Sequence, residues 1–164
     1  EQALVARRQD AFDFRAETEL EFSPESFQQA AGLTHYYNRH KFYFLGLTHD
    51  ARLGRALTVM SCPGDWPDSR LTFPLAEPVP LPGDGPVRLA AEVRGAALTF
   101  FHDAGDGWKQ VGPVLDASVI SDEGGRGEHG SFTGAFVGMA AFDTSGRAMP
   151  ADFGYFLYEG SDRP

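Results

Sequence analysis

The stretch F-D-F-R-A-E-T-E-L-E-F, residues 12–22, decides the fold class, because its two sets of alternate positions differ in character. Phe12, Phe14, Ala16, Thr18, Leu20 and Phe22 form one set; Asp13, Arg15, Glu17, Glu19 and Glu21 form the other. Successive side chains of a strand point to opposite faces, so the pattern predicts a strand with its phenylalanine face in the core and its charged face in solvent. Working outward, similar runs predict strands over residues 31–37, 41–48, 56–61, 70–75, 87–94, 96–102, 108–111, 133–142 and 153–158. Turn-forming Asn, Asp, Gly and Pro separate them at 38–40, 63–65, 82–86, 103–107 and 144–146. Only residues 24–29 and 114–121 have room for a helical turn. Short strands at even spacing, with no long helical pattern, predict an all-β fold: an antiparallel β-sandwich of jelly-roll type, with residues 1–164 as one domain.

Composition narrows the functional classes. A chain of 164 residues, 42% hydrophobic and holding 14 Phe, forms a packed domain that buries roughly 70% of its unfolded surface. The net charge of -9 and the scattered basic residues exclude a nucleic-acid partner, which needs a concentrated positive patch. No apolar run approaches the roughly 18 residues of a membrane-spanning helix, so no membrane partner is expected. Cys62 has no second cysteine to pair with in the chain and reads as a small buried hydrophobe. Residues 1–8 lack both an initiator Met and the order of a signal peptide. The expectation is a cytoplasmic protein whose chain begins inside a longer polypeptide.

Several groups have the right chemistry for a site. Glu17, Glu19 and Glu21 project from one strand face, and paired carboxylates are what a free-standing jelly-roll glycosidase would use; a solvated polar face has the same pattern. Trp66, Trp108, Tyr36 and Tyr43 are the candidates for the row of exposed rings that a carbohydrate-binding module presents. His35, His40 and His49 include no pair at i, i+2 and read as turn and surface residues rather than metal ligands, and the Asp-rich segments 103–107 and 143–146 read as tight turns rather than calcium loops. No cofactor or metal is expected. The nucleophile elbow, the phosphate loop, the dinucleotide fingerprint and the H-E-x-x-H motif are all missing.

The segment G-E-H-G-S-F-T-G-A-F-V-G-M-A-A-F-D, residues 127–143, passes from a glycine-loosened loop into an apolar run with Phe132 at the changeover. Phe132 either opens the strand and joins the core or rides on the loop and serves a neighbouring surface. Five strings bear on that choice: L-V-A-R-R-Q at 4–9, F-S-P-E-S-F-Q-Q-A-A-G-L-T-H-Y-Y-N-R-H-K-F-Y-F at 22–44, W-K-Q-V-G-P-V-L-D-A-S-V-I-S-D-E at 108–123, F-T-G-A-F-V-G-M at 132–139 and A-D-F-G-Y-F-L-Y-E at 151–159. Together, in this order, they resemble the C-terminal concanavalin A-like β-sandwich of glycoside hydrolase family 43 β-xylosidases.

The resemblance implies an accessory domain that follows a five-bladed catalytic β-propeller, in a parent enzyme that removes xylose, and in some members arabinose, from chain ends with inversion. It also implies that a sandwich loop places a phenylalanine at the rim of the propeller's pocket. By the F-T-G-A-F-V-G match that residue is Phe132, supported by Gly127, His129, Gly130, Thr133 and Gly134. The sandwich itself would carry no catalytic residue. Its partners would be the propeller of the same protein, across an interface of about 800 Å² per side, a xylo-oligosaccharide at that interface, and a second copy of the chain. The chain departs from the family in two places: it starts after the sandwich's usual first strands, and Gly154 stands where Asp is common, next to the retained Asp152.

Overall fold

The computed structural model describes residues 1–64, 70–124 and 132–161. Among the described residues eleven strands occur in chain order: β1 (Gln2–Arg8), β2 (Asp13–Glu21), β3 (Gln29–Asn38), β4 (Lys41–Asp50), β5 (Gly54–Pro63), β6 (Val79–Pro80), β7 (Val87–Arg94), β8 (Ala97–Asp103), β9 (Lys109–Asp116), β10 (Phe136–Asp143) and β11 (Asp152–Ser161). They form two antiparallel sheets, ordered β1-β10-β3-β4-β5-β6 and β11-β2-β7-β8-β9. Such a sandwich buries one face of each sheet against the other.

Alternation along β2 sets the register of the second sheet. Phe14, Ala16, Thr18 and Leu20 are buried, and they meet Val93, Ala91, Leu89 and Val87 of β7 across the strand pair. Ala31, Leu33 and Tyr37 of β3, Tyr43, Leu45 and Leu47 of β4 and Val137 of β10 complete the core from the first sheet. Each fully buried Leu or Phe contributes about 1.5–3 kcal/mol, so this layer dominates stability. On the outside of the first sheet the character is also apolar, with the rings of Phe44 and Phe142 6.0 Å apart and those of Tyr36 and Phe42 6.5 Å apart. Gly138 permits the approach of β1 to β10, since a Cβ there would lie 2.2 Å from the Val5 carbonyl oxygen.

The structure corrects several expectations. Phe12 continues the alternation of β2 on paper but precedes the strand, and it is 83% exposed rather than in the core. Residues 70–75 form no strand; Thr72 alone pairs with Ser61, each N–H donating to the other's carbonyl at 2.8–2.9 Å, and Pro74 has no N–H to continue a ladder. Residues 24–29 contain a turn, and of 114–121 only Ala117–Val119 is helical, as a single 3-10 turn capped by the Asp116 carboxylate. β1 and β6 were not predicted. β1 is an exposed edge strand along its whole length, so it lacks the burial that produces alternation.

His35, expected in a turn or at the surface, instead faces the core from β3, with its ring edge-on to Phe14 at 5.8 Å and its Nε2 2.9 Å from the Gln9 side-chain oxygen. Its Nδ1 has no hydrogen-bond partner among the described residues, and burial pushes its pKa down to about 4. The unfolded chain therefore binds a proton between about pH 6.5 and 4 that the folded chain refuses. The resulting stabilisation is fully present above the unfolded value and lost as pH falls towards the folded one, a difference of roughly 3 kcal/mol. In urea titrations across that window, the parent should lose more stability than the His35→Gln variant; parallel profiles would contradict the assignment.

Candidate functional site

Phe132 lies on the loop side of the changeover. β10 begins at Phe136, not at residue 133, and the Phe132 side chain is 93% exposed. A ring that exposed has no part in its own core. Thr133 and Gly134, on its C-terminal side, are described; Gly127, His129 and Gly130 lie outside the described residues.

The base of this loop is held by a network that ties it to the sandwich interior. Tyr37 of β3 has its ring in the core, and its hydroxyl donates to the Asp122 carboxylate and accepts the Thr133 N–H at 2.9 Å. The Gly134 N–H donates to the same Asp122 oxygen at 3.1 Å. Arg8, at the end of β1, donates to the Thr133 carbonyl and lays its guanidinium over Phe136 at 5.1 Å. Gly134 has φ +74, and a Cβ there would also lie 2.6 Å from the Arg8 guanidinium, so glycine is the residue this position accepts.

The segment bearing Asp122 is fixed in turn by Lys41. Its ammonium donates to the Ser121 carbonyl at 2.8 Å and the Gly124 carbonyl at 2.7 Å, and sits 4.0 Å from the centre of the Tyr37 ring. Partial burial lowers the Lys41 pKa, while Asp122 and Glu123 pull it back up. The Tyr37 hydroxyl and then the Gly134 N–H hold the Asp122 carboxyl below the usual carboxylate range. The loop base is thus a charge-assisted cluster anchored on one core ring.

The other candidates do not gather into a site. Glu17 accepts a hydrogen bond from the Tyr155 hydroxyl at 2.5 Å and faces Arg15 at 3.6 Å and Arg88 at 3.9 Å. Burial and that Glu17 contact push the Tyr155 pKa up to about 12. Gly154 sits opposite Glu19, where a Cβ would stand 3.2 Å from the carboxylate, so an aspartate there would face a like charge. Tyr43 is a core residue bonded to the Asp116 carbonyl, Tyr36 lies on the outside of the first sheet, and Trp108 carries the guanidinium groups of Arg15 and Arg88 at 4.7 and 4.9 Å. These three rings share no face, and Trp66 lies outside the described residues.

Both Asp-rich segments are turns: Asp103 accepts from the N–H groups of Gly105 and Gly107, and Asp143 from those of Ser145 and Met149. Among the described residues, no His, Cys, Asp and Glu group could hold a metal ion. Cys62 is buried, as expected of a small apolar residue.

Residues 1–159 match the family model described as "Beta xylosidase C-terminal Concanavalin A-like domain". The chain belongs to this domain family of glycoside hydrolase family 43. It is 49% identical over its whole length to Xylosidase/arabinosidase 43B of Humicola insolens, covering 31% of that protein. It is also 41% identical over 96% of its length to a beta-xylosidase of Bacillus subtilis, covering 29% of it. Among solved structures, xylan beta-1,4-xylosidase from Bacillus halodurans C-125 superposes on 97% of the chain with a TM-score of 0.89 and 37% identity, the match covering 30% of that chain. The chain therefore spans about a third of the relatives it matches.

Tyr37, Asp122, Arg8 and Lys41 were not singled out in the sequence, where Tyr37 stands 85 residues from Asp122 and 96 from Thr133. Tyr37→Phe keeps the core ring and deletes the bridging hydroxyl. It should destabilise the fold by about 1–3 kcal/mol and accelerate amide exchange at Thr133 and Gly134. Unchanged exchange at those amides would show that the hydroxyl does not hold the loop.

Proposed function

We propose that this accessory domain packs on a catalytic β-propeller of the same polypeptide and that Phe132 closes the rim of the propeller's active-site pocket. The observation that carries this reading is the pairing of a fully presented ring with a rigid base, described above. An exposed phenylalanine on a mobile tether would be an aggregation liability; one held by Tyr37, Asp122 and Arg8 is pre-organised to contact a surface outside its own fold.

In this reading the parent hydrolyses xylosidic bonds at the ends of xylo-oligosaccharides, and the propeller supplies the acid and base. The name of the Humicola relative favours arabinosides as a second substrate class. The ring contributes an apolar wall that excludes water and ends the pocket after a short chain. No residue of the sandwich donates or accepts a proton in the reaction. The Glu17 carboxylate, locked among Arg15, Arg88 and Tyr155, has no role in hydrolysis.

Phe132→Ala in the full-length enzyme should lower kcat/KM on xylobiose roughly tenfold to a hundredfold, the equivalent of losing about 1.5–3 kcal/mol of apolar contact. The loss should shrink on longer oligomers, because the variant removes the wall that obstructs them in the parent enzyme. Glu17→Gln should leave both values unchanged. Equal kinetics for Phe132→Ala and the parent enzyme on xylobiose would overturn the pocket role.

A further inference from the structure

Phe12 sits in the connection between β1 and β2, 83% exposed, in a protein whose core takes Phe14, two residues later, out of solvent completely. Its surroundings are not flat. Phe12, Gln9, Ile120, Ser121 and Glu123 line two adjoining cavities of about 310 and 430 Å³. Gly134 and Ala135, just beyond Phe132, line the first of these, and the Gln9 N–H donates to the Ala135 carbonyl at 2.9 Å. The Phe12 turn, the segment that Lys41 fixes and the base of the Phe132 loop therefore form one continuous surface at one end of the sandwich.

We infer that this surface is the seat of the catalytic domain, with Phe12 as its apolar anchor. The inference rests on the reading that such a domain belongs to the same polypeptide, and it goes further by assigning the contact to a residue other than the pocket-rim ring. The relatives extend to about three times the length of this chain, so a large partner is covalently tethered in such proteins. Asp10, beside Phe12 on the cavity wall, is already ion-paired with Arg7 of the same chain, so what this surface offers a partner is the ring, and the domain that seats here has an apolar socket for it. Phe132 would then touch substrate space while Phe12 holds the two domains in register.

Phe27 provides a matched control. It is 77% exposed in the connection between β2 and β3, at the opposite end of β2 from Phe12. In the full-length protein, Phe12→Ala should lower the temperature of thermal unfolding or split one transition into two. It should also speed amide exchange in residues 9–12 and 121–124 roughly tenfold, whereas Phe27→Ala should do neither. Unchanged unfolding and exchange for Phe12→Ala, or the same changes in both variants, would overturn the inference. Xylobiose kinetics of Phe132→Ala separate the two readings. Altered kinetics with a silent Phe12→Ala would remove only the anchor; silent kinetics with a destabilised Phe12→Ala would remove only the rim.

Discussion

The hydroxyl of Tyr37 is the point through which the rigid interior reaches the loop. Its ring belongs to the close-packed core, and its oxygen stands between the Asp122 carboxylate and the Thr133 amide. Lys41 and Arg8 secure the two flanks of that contact. A loop of this kind inherits the stiffness of the sandwich at its base while leaving its apolar tip outside. Such a combination suits contact with a separate surface: little conformational freedom remains to be lost when that surface arrives.

The two outer faces of the sandwich solve different problems. On the second sheet, Glu17, Glu92 and Asp103 alternate with Arg15, Arg88 and Arg94 in a lattice of ion pairs that also covers Trp108. These pairs are partly buried on the sheet surface, Asp103 almost fully, and their opposite charges neutralise one another. On the first sheet the outer face is aromatic, and on the end bearing Phe12 and Phe132 two large rings stand in solvent. The second sheet thus pairs its charges on its own surface, while the end bearing Phe12 and Phe132 leaves apolar rings in solvent.

How much of this was legible in the sequence follows from how local each feature is. β2 could be read because one face is buried and the other charged over nine residues, and the sandwich class followed from similar runs. β1 could not, because an edge strand with every residue exposed carries no burial pattern. Phe12 shows the converse error: alternation extends one step past the strand into a turn that faces outward. The exposed, loop-side position of Phe132 was recognisable from the glycine-loosened segment before the strand. The residues holding it were not, since Tyr37, Lys41, Asp122 and Arg8 meet only after the sheets have formed, and each reads alone as an ordinary core, turn or edge residue.

The central claim is that the ring at position 132 belongs to a pocket in another domain. Replacing it with a photoreactive benzophenone side chain in the full-length enzyme, then mapping the adducts by mass spectrometry, tests this directly. The account predicts adducts to peptides at the mouth of the catalytic pocket, suppressed when xylobiose occupies it. Adducts confined to the sandwich itself, or unaffected by the sugar, would contradict it.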